Sequence, residues 1–302
     1  MTRVTDSPTL RARLFVLLQH VLPQHFLSRL VLHLTRSRAR PLKRVLIGAF
    51  VRHFHPDMRD ALEVEPQSYP TFNAFFTRAL RPEARVCAND PLALASPVDG
   101  TVSQLGPLDG SRIPQAKGHE YSIESLLAGH TQAAQRFAGG SFATLYLAPY
   151  NYHRIHMPLA GELRAAWFVP GRLFSVNATT AAAVPGLFAR NERVVLRFVD
   201  GELEWALVMV GALFVGSMST VWHGDVTPHH SRQVTELPLA AERTPLRLGK
   251  GAELGRFNMG STVILLLPPQ AIEWRADLAA GQSIQAGETL GRLTAPGAGV
   301  SR

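Results

Sequence analysis

The densest run of apolar positions lies near the start of the chain, between Leu10 and Leu34, where Pro23 interrupts it and arginines flank it. No uncharged stretch in this run reaches the ~18–20 residues that a membrane span needs. The spacing therefore predicts two short helices, each with a wide apolar face and with arginines at its rim. Such helices either pack on the protein's own body or lie in a lipid interface, and a single helix can do both.

Further along, the pattern changes to short apolar runs separated by glycine and proline, which is typical of a mainly β structure. Just before that change, residues 71–80 have the pattern of a short helix capped by Thr71. Residues 179–188 form either a loop or a brief helix. Strands are predicted over residues 142–147, 161–169, 192–198, 203–210, 212–221 and 262–267.

Two segments need separate interpretation. Residues 205–224 carry no Asp, Glu, Lys or Arg, but their glycines, hydroxyls and β-branched residues predict two buried strands around a turn, not a membrane helix. Residues 280–293 contain two glycines in the pattern of a tight β-hairpin, and with residues 96–102 they resemble the barrel-sandwich folds of biotinyl and lipoyl carriers. The predicted fold class is α+β, with a helical membrane-associated region over 1–65 and a mainly β, barrel-sandwich-like catalytic body over 66–302.

Composition and charge narrow the choice of partners. The chain has 302 residues, 46% of them hydrophobic and 18% charged, which is typical of a globular protein with a substantial core. Its net charge of +8 arises in residues 1–60, where 11 Lys or Arg stand against 3 Asp or Glu, since the remainder has 20 of each sign. An apolar region rich in arginine favours an anionic membrane surface. We expect no nucleic-acid partner, because no basic patch with interleaved aromatic residues lies elsewhere.

The tripeptide Gly260-Ser261-Thr262, directly before the apolar run 263–267, indicates a specific chemistry. A glycine adds no bulk around its carbonyl, and the following serine can attack that carbonyl and turn the peptide into an ester. Elimination and hydrolysis then leave a pyruvoyl group, a ketone that accepts electrons as a bound cofactor would. Taken alone, the tripeptide is weak evidence, since most such sequences are ordinary turns.

Two further motifs add weight: residues 152–158, Tyr-His-Arg-Ile-His-Met-Pro, and residues 96–100, Ser-Pro-Val-Asp-Gly. Together with Gly260-Ser261-Thr262 they resemble the bacterial phosphatidylserine decarboxylase proenzyme family, which usually has leucine where Met259 stands. The resemblance covers most of the chain from about Tyr69 onward. It extends to residues 71–78, 117–122, 174–177, 188–193 and 210–212.

The resemblance implies decarboxylation of phosphatidylserine to phosphatidylethanolamine by a pyruvoyl group made from Ser261. Cleavage between Gly260 and Ser261 would give a heterodimer of chains 1–260 and 261–302. The resemblance assigns His156 as the base that activates Ser261 and Asp99 as the partner that orients His156. On the residues alone, a turn-forming Asp99 and a structural His156 are equally open.

The resemblance also gives weaker assignments. His153 is the candidate proton donor, although residues three apart in a strand face opposite sides, so joint use with His156 requires a turn. Arg154 is either a phosphate contact or a solvated surface residue. Phe174 and Asn177 either line the lipid entrance or only pack a loop.

No metal site is expected, because the adjacent pair His229-His230 diverges in a strand and Cys87 has no CxxC partner. The expected location is the cell membrane, peripherally and on its cytoplasmic face, and a homo-oligomer is compatible with the sequence. Two other functions stay open: a pyruvoyl decarboxylase of a soluble amino acid, and a non-enzymatic barrel-sandwich module that binds membranes.

Overall fold

The computed structural model describes residues 10–214, 217–228, 231–239, 245–259 and 261–294. Gly260 and the pair His229-His230 therefore lie outside the described residues. Eight α-helices occur in the described part, and three single-turn 3₁₀ helices cover Pro66–Ser68, Pro82–Ala84 and Ala116–Gly118. The α-helices are α1 Leu10–Val21, α2 Gln24–Thr35, α3 Arg40–Phe54, α4 Phe72–Phe76, α5 Ile123–Leu126, α6 Thr131–Phe137, α7 Ala178–Ala183 and α8 Leu187–Arg190.

The helices confirm most of the helical predictions. The helical region is interrupted between α1 and α2 at Pro23, because proline cannot continue a helix. The Thr71 side chain caps α4 by accepting a hydrogen bond from the Ala74 amide at 3.0 Å, although α4 is shorter than the predicted 71–80. The third helix, α3, was not predicted. None of the described helices is long and apolar enough to cross a bilayer.

Eighteen strands are described, and all their pairings are antiparallel. In chain order they are β1 Ala93–Ala95, β2 Gly100–Pro107, β3 Arg112–Pro114, β4 Glu120–Ser122, β5 Ser141–Tyr146, β6 Arg154–His156, β7 Gly161–Val169, β8 Arg193–Asp200, β9 Leu203–Val210, β10 Met218–Thr220, β11 Gly224–Asp225, β12 Thr235–Glu236, β13 Arg247–Leu248, β14 Glu253–Phe257, β15 Thr262–Leu267, β16 Ile272–Trp274, β17 Ser283–Ile284 and β18 Thr289–Leu293.

These strands form one large sheet and three small ones. The large sheet has the order β12-β7-β8-β9-β15-β5-β2-β17, and β13 also pairs with β7. The smaller sheets are β11-β10-β14-β6, β1-β18-β16 and the pair β3-β4. The α+β class is confirmed. No sheet closes on itself among the described strands, so the predicted barrel-sandwich arrangement is not found there.

Two local predictions are corrected in detail. The predicted hairpin over 280–293 is wrong, because β17 pairs with β2 whereas β18 pairs with β1 and β16. The glycines do make turns, since Gly281 and Gly287 have φ of +92° and +86°, but the turns send the two strands to different sheets. Within the strand predicted over 212–221, the structure has only the short strand β10 among the described residues. Val215 and Gly216 lie outside the described residues.

The core has two parts. The main part is built from apolar side chains of the large sheet and of the elements packed against it. The central strand of that sheet, β15, is buried at every residue. A separate aromatic cluster joins α3 to α4 through Phe50, Phe72, Phe75 and Phe76. This cluster spans the boundary predicted at residues 65/66.

Candidate active site

One rung of the large sheet brings two of the predicted site residues, Asp99 and Ser261, to the same end. Thr262 pairs with Val210 on one side and with Tyr146 on the other, and Tyr146 pairs in turn with Thr101. Neighbouring strands lie ~4.8 Å apart, so Thr101 and Thr262 are separated by about 10 Å. Asp99 lies two residues before Thr101, and Ser261 lies one residue before Thr262. Because β2 and β15 are both antiparallel to β5 and so run in the same direction, Asp99 and Ser261 lie at the same end of the rung.

Ser261 is fully buried at the start of β15. Its backbone carbonyl accepts a hydrogen bond from the Leu147 amide at 2.8 Å. In contrast, its hydroxyl has no hydrogen-bond partner among the described residues, and the same is true of the Thr262 hydroxyl. Because Gly260 lies outside the described residues, the bond predicted to be cut is described only from its Ser261 side.

His153 is also fully buried, directly before β6. Its Nδ1 lies 2.8 Å from the Asn151 carbonyl oxygen, and its ring centroid lies 4.1 Å from that of Phe76. Burial lowers the pKa of His153 to about 3, so the ring is neutral at neutral pH. A carbonyl can only accept, so Nδ1 carries the proton and Nε2 has a free lone pair, without a partner in the described part of the chain.

The second histidine has a different environment. His156 Nδ1 lies 2.9 Å from the Gly251 carbonyl oxygen, and its Nε2 lies 2.9 Å from the Tyr152 hydroxyl. In the neutral ring, Nδ1 donates to the carbonyl and Nε2 accepts from the hydroxyl. Burial raises the pKa of Tyr152 to about 12, which keeps this hydroxyl protonated. Both nitrogens of His156 are therefore bonded.

Asp99 is held from two directions. Arg85 donates to both carboxylate oxygens at 2.6 and 2.8 Å, and the Ala286 amide donates to Oδ1 at 2.8 Å. The following glycine is required for close packing, because a Cβ at Gly100 would overlap the carbonyl oxygen of Tyr146. The carboxylate thus links residues on both sides of the predicted cleavage point.

The side chains of the predicted Asp99–His156–Ser261 triad are not hydrogen-bonded to one another among the described residues, although a backbone contact connects His156 to the turn that carries Asp99. The His156 amide bonds the Pro97 carbonyl at 2.8 Å, which keeps the backbone of His156 close to Asp99. In the described part of the chain, no hydrogen bond joins the three side chains to one another, because Asp99 and His156 have the partners described above and Ser261 has none.

The other predicted site residues differ in their surroundings. Arg154 donates to Glu253 at 2.7 Å and to the Thr77 carbonyl at 3.0 Å, so its charge is already paired. Phe174 is fully buried, with its ring centroid 4.9 Å from that of His20 in α1. Asn177 caps α7 by accepting from the Thr180 amide at 2.9 Å.

Asn177 also lines an apolar cavity of about 320 Å³. Leu147, which bonds Ser261, and Met259, two residues before Ser261, form part of its wall. The cavity is therefore next to the predicted cleavage point. Its remaining lining residues are Phe50, Phe54, Phe76, Tyr146, Pro149, Ser175, Val176, Ala212, Leu213 and Phe214.

Comparison with protein-family models identifies the family. A model described as phosphatidylserine decarboxylase matches residues 72–292, well over half of the chain. The chain belongs to the phosphatidylserine decarboxylase family. A second model, described as PSD, matches residues 14–55 and so covers most of α1 and all of α2 and α3.

Individual relatives agree with this membership over nearly their whole length. The phosphatidylserine decarboxylase proenzymes of Pseudomonas aeruginosa (strain LESB58) and Azotobacter vinelandii are both 51% identical to this chain. The alignments cover 92% and 94% of this chain, and 96% and 100% of those proteins. The proenzyme of Pseudomonas putida (strain F1) is 49% identical, over 93% of this chain and 98% of that protein.

The regions matched by the two models include both the sheet body and the N-terminal helices. In α1 and α2 the usual pattern of burial, apolar side chains inside and polar ones outside, is inverted. The buried side chains of α1 and α2 are mostly polar, whereas many of their large apolar side chains are exposed. Against the body lie Val16, Gln19, Gln24, Ser28 and Thr35. Exposed are Leu14, Phe15, Leu17, Leu18, Val21, Phe26, Leu30 and Leu34.

The buried glutamines of these helices explain how they dock. Gln19 accepts a hydrogen bond from the Ser175 amide at 2.7 Å, and Gln24 accepts one from the Leu173 amide at 2.9 Å. They therefore hold the segment that leads into the cavity-lining residues Val176 and Asn177.

Three residues of the candidate site, Tyr152, Arg85 and Phe76, were not predicted from the sequence. Tyr152 lies inside the quoted motif 152–158 and could have been proposed from its position beside the histidines. Phe76 lies inside the quoted segment 71–78, but nothing in that segment points to His153, and Arg85 carries no local signal at all. The contacts of these two residues with His153 and Asp99 arise from tertiary packing. The described residues include no group of three His, Cys, Asp or Glu that could hold a metal ion.

Proposed function

We propose that this chain decarboxylates phosphatidylserine to phosphatidylethanolamine, using a pyruvoyl group that forms at Ser261 when the chain cuts its own Gly260–Ser261 bond. The observation that carries the proposal is the buried Ser261 hydroxyl without a partner among the described residues. Such a group costs about 1–3 kcal/mol, and most buried hydroxyls in folded proteins are hydrogen-bonded. The names of the relatives, phosphatidylserine decarboxylase proenzymes, agree with a chain that is processed.

The surroundings of Ser261 suit a pyruvoyl group. Conversion of this residue removes a hydroxyl that makes no bond in the described structure, and burial shelters the new ketone from water. A pyruvoyl group supplies a ketone that takes up the electrons of the breaking carbon–carbon bond. The residues around it then have to manage protons.

His156 is the base that we propose for the cleavage step. To reach Ser261, its Nε2 has to exchange the Tyr152 hydroxyl for the Ser261 hydroxyl. A side chain positioned in this way typically contributes 10²–10⁴-fold to a proton-transfer step. Asp99 orients His156 in this proposal, which requires that its carboxylate release Arg85 and replace the Gly251 carbonyl as the acceptor of the Nδ1 proton.

His153 is the group that we propose for proton transfer during decarboxylation. Its Nδ1 is bonded to a carbonyl, so only Nε2 can exchange protons with a substrate. Since Nε2 begins with a free lone pair, His153 first takes a proton from the serine ammonium of the substrate. It then returns a proton to the headgroup carbon once carbon dioxide has left.

The position of β15 supports a stable heterodimer after cleavage. This strand would belong to the small chain, 261–302, yet it lies between β9 and β5 of the large chain and is buried throughout. Backbone hydrogen bonds on both sides and complete apolar burial would hold the two chains together without a covalent link.

We also propose peripheral association with an anionic membrane at its cytoplasmic face; the inverted burial of α1 and α2 supports the association. Moving one large exposed side chain into lipid contributes about 1.5–3 kcal/mol. Arginines near the surface add about 1 kcal/mol each toward anionic lipid. The exposed Arg29, Arg38, Arg40 and Arg44 follow or flank these apolar faces.

Co-sedimentation with phosphatidylglycerol vesicles tests the membrane surface. Phe26→Glu should weaken vesicle binding at least about 10-fold, because Phe26 is 66% exposed on α2 and loses its transfer into lipid. Leu62→Glu is the matched control, equally exposed at 66% but outside the helices. Equal binding of both variants and the unchanged protein would contradict this assignment.

Intact mass and a lipid assay test the function itself. The purified protein should contain chains 1–260 and 261–302, the small one lighter than its unmodified peptide by one ammonia. It should release carbon dioxide from phosphatidylserine vesicles and not from free serine. Turnover by an uncut chain would refute the pyruvoyl route, and turnover of free serine alone would indicate a decarboxylase of a soluble amino acid.

A further inference from the structure

Among the described residues, Arg78 is a buried cation without an anionic hydrogen-bond partner. The residue is 3% exposed, and its Nη2 makes two long contacts, with the carbonyl oxygens of Tyr150 at 3.3 Å and Asp57 at 3.5 Å. Its Nε and Nη1 have no partner among the described residues. Burial lowers the pKa of Arg78, which reflects the cost of removing the charge from water. An unpaired buried charge is strongly unfavourable, so this site favours an anionic ligand.

The side chain lines a polar cavity of about 470 Å³ in which the carboxylates are already paired. Asp60 and Asp99 are bonded to Arg85, so neither of these two lining carboxylates pairs with Arg78. The other two are also bonded to arginines, Asp57 to Arg59 and Glu288 to Arg275. In the described part of the chain, Arg78 is therefore the lining arginine that no carboxylate neutralises.

This cavity adjoins the candidate active site. Phe76, two residues before Arg78, packs against His153, and the charge of Arg78 helps to lower the pKa of His153. Tyr150, Asn151 and Tyr152 line the polar cavity, whereas Tyr146, Leu147 and Pro149 line the apolar one. One continuous segment, 146–152, therefore has apolar space beside its first half and a buried cation beside its second half.

We propose that Arg78 binds the phosphodiester of the phosphatidylserine headgroup. This inference rests on the proposed function, since it names how that substrate is held. A guanidinium is well suited to phosphate oxygens, and the buried Nε and Nη1 make no hydrogen bond to the described residues. Arg154, the earlier candidate for this contact, is already paired with Glu253.

Reaction chemistry favours the phosphate over the substrate carboxylate as the ligand of Arg78. The carboxylate loses its charge as carbon dioxide leaves, so a cation against it would stabilise the ground state more than the transition state and slow the reaction. The phosphodiester keeps its charge from substrate to product. A cation bound there lowers KM and leaves kcat nearly unchanged.

Steady-state kinetics with soluble dihexanoyl phosphatidylserine test the proposal. Arg78→Met should raise KM about 10–100-fold, the loss expected for hydrogen bonds to a charged group, and change kcat by less than about 3-fold. Arg81→Met is the control: it removes one positive charge from the same segment, but Arg81 is about half exposed and should leave KM within about 2-fold. A fall in kcat with unchanged KM would overturn the proposal.

A second variant keeps the proposal testable if Arg78→Met does not fold. If Arg78→Met fails to self-cleave or melts far below the unchanged protein, Arg78→Lys replaces it, because lysine keeps the charge but not the planar donors. We expect KM of Arg78→Lys to rise about 3–10-fold with kcat retained. An unchanged KM in Arg78→Lys, with Arg78→Met unfolded, would assign a purely structural role and overturn the proposal.

Binding to uncut Ser261→Ala protein separates this proposal from the proposed function, because it requires no turnover. Calorimetry should show glycerophosphoserine binding at least about 10-fold more tightly than serine, and Arg78→Met should remove that difference. If inorganic phosphate binds as tightly as glycerophosphoserine, the site serves free phosphate and the lipid assignment is wrong. If cut protein fails to decarboxylate phosphatidylserine, the proposed function fails while this binding result still tests Arg78.

Discussion

The candidate active site has two sides that differ in how their polar groups are satisfied. On the side that we call unpartnered, the hydroxyls of Ser261 and Thr262 and the Nε2 of His153 are buried and have no hydrogen bond among the described residues. On the side that we call bonded, Asp99 and His156 use every oxygen and ring nitrogen. Asp99 and Ser261 lie at the same end of one rung of the large sheet, whereas His156 ends β6 in a smaller sheet and His153 directly precedes that strand.

The difference determines what each group has to give up before it can act: the unpartnered groups have no described hydrogen bond to lose, whereas the bonded groups have to exchange theirs. A buried hydroxyl or ring nitrogen without a partner is costly, so a cluster of three needs an explanation other than stability. On the bonded side, the hydrogen bonds fix the positions of Asp99 and His156 but also prevent them from bonding other groups. The proposed mechanism requires the Nε2 of His156 to give up its hydrogen bond with the Tyr152 hydroxyl and to bond the Ser261 hydroxyl instead.

Ser261→Ala should have the largest effect. Removing the nucleophile should abolish both self-cleavage and decarboxylation, since no other step makes the pyruvoyl group. The measurement is intact mass together with release of carbon dioxide from lipid vesicles. Ser28→Ala is the matched control, because Ser28 is also a buried serine whose hydroxyl has no partner in the described chain, but it lies on α2. Cleavage in Ser261→Ala would disprove the nucleophile.

His156→Ala tests whether the bonded side supplies the base. We expect self-cleavage to slow by about 10²–10⁴-fold, the usual contribution of a positioned general base. The time course of chain cleavage by mass or gel measures this rate. His33→Ala, an exposed histidine of α2, is the control. Cleavage that survives His156→Ala but is lost in His153→Gln would exchange the two roles, because His153 has the free lone pair.

His153→Gln should separate cleavage from turnover. The two chains should still form, whereas decarboxylation should slow by about 10²-fold or more, since the proton carrier is lost. Single-turnover release of carbon dioxide by fully cleaved protein measures this step. Full activity of cleaved His153→Gln protein would remove His153 from the mechanism.

The pH dependence of stability is a further test of the environment of His153. Burial lowers its pKa from 6.5 to about 3, so between these values the unfolded chain binds a proton that the folded chain does not. The free energy of unfolding should therefore fall as pH drops from about 6.5 to about 3. Urea unfolding of uncut protein should show a shallower fall for His153→Gln, and identical pH profiles would contradict a buried neutral ring.

Sequence motifs proposed candidate residues for the site but not the contacts of those residues. Ser261, His156, Asp99 and His153 were proposed from motifs, and the structure gathers Asp99 and Ser261 because β2, β5 and β15 are neighbours. Strand order depends on long-range pairing, which local patterns do not encode. Whether a side chain is bonded or unpartnered depends on burial by distant segments, so the Asp99–Arg85 contact had no local signal.

The same limit applies to the fold. The break at Pro23 and the cap at Thr71 were predictable because they act within a few residues. The segment 280–293 was wrongly predicted as a hairpin, since two glycine turns specify where the chain bends but not which strands it then joins. The inverted burial of α1 and α2 also requires the body, because periodicity defines an apolar face without specifying what it contacts.

Thr262→Val should have the smallest effect, and it tests the unpartnered side directly. Valine keeps the shape of threonine and removes a hydroxyl with no described partner, so the free energy of unfolding should rise by about 1 kcal/mol. Thr227→Val is the control, because Thr227 is equally buried but accepts a hydrogen bond from the Met218 amide at 2.7 Å, and its loss should destabilise by about 1–3 kcal/mol. Both are measured by urea unfolding in the uncut Ser261→Ala background. If Thr262→Val instead destabilises the protein, or stops cleavage when Ser261 is present, its hydroxyl has a partner during the reaction and belongs with the groups that act on the Gly260–Ser261 bond.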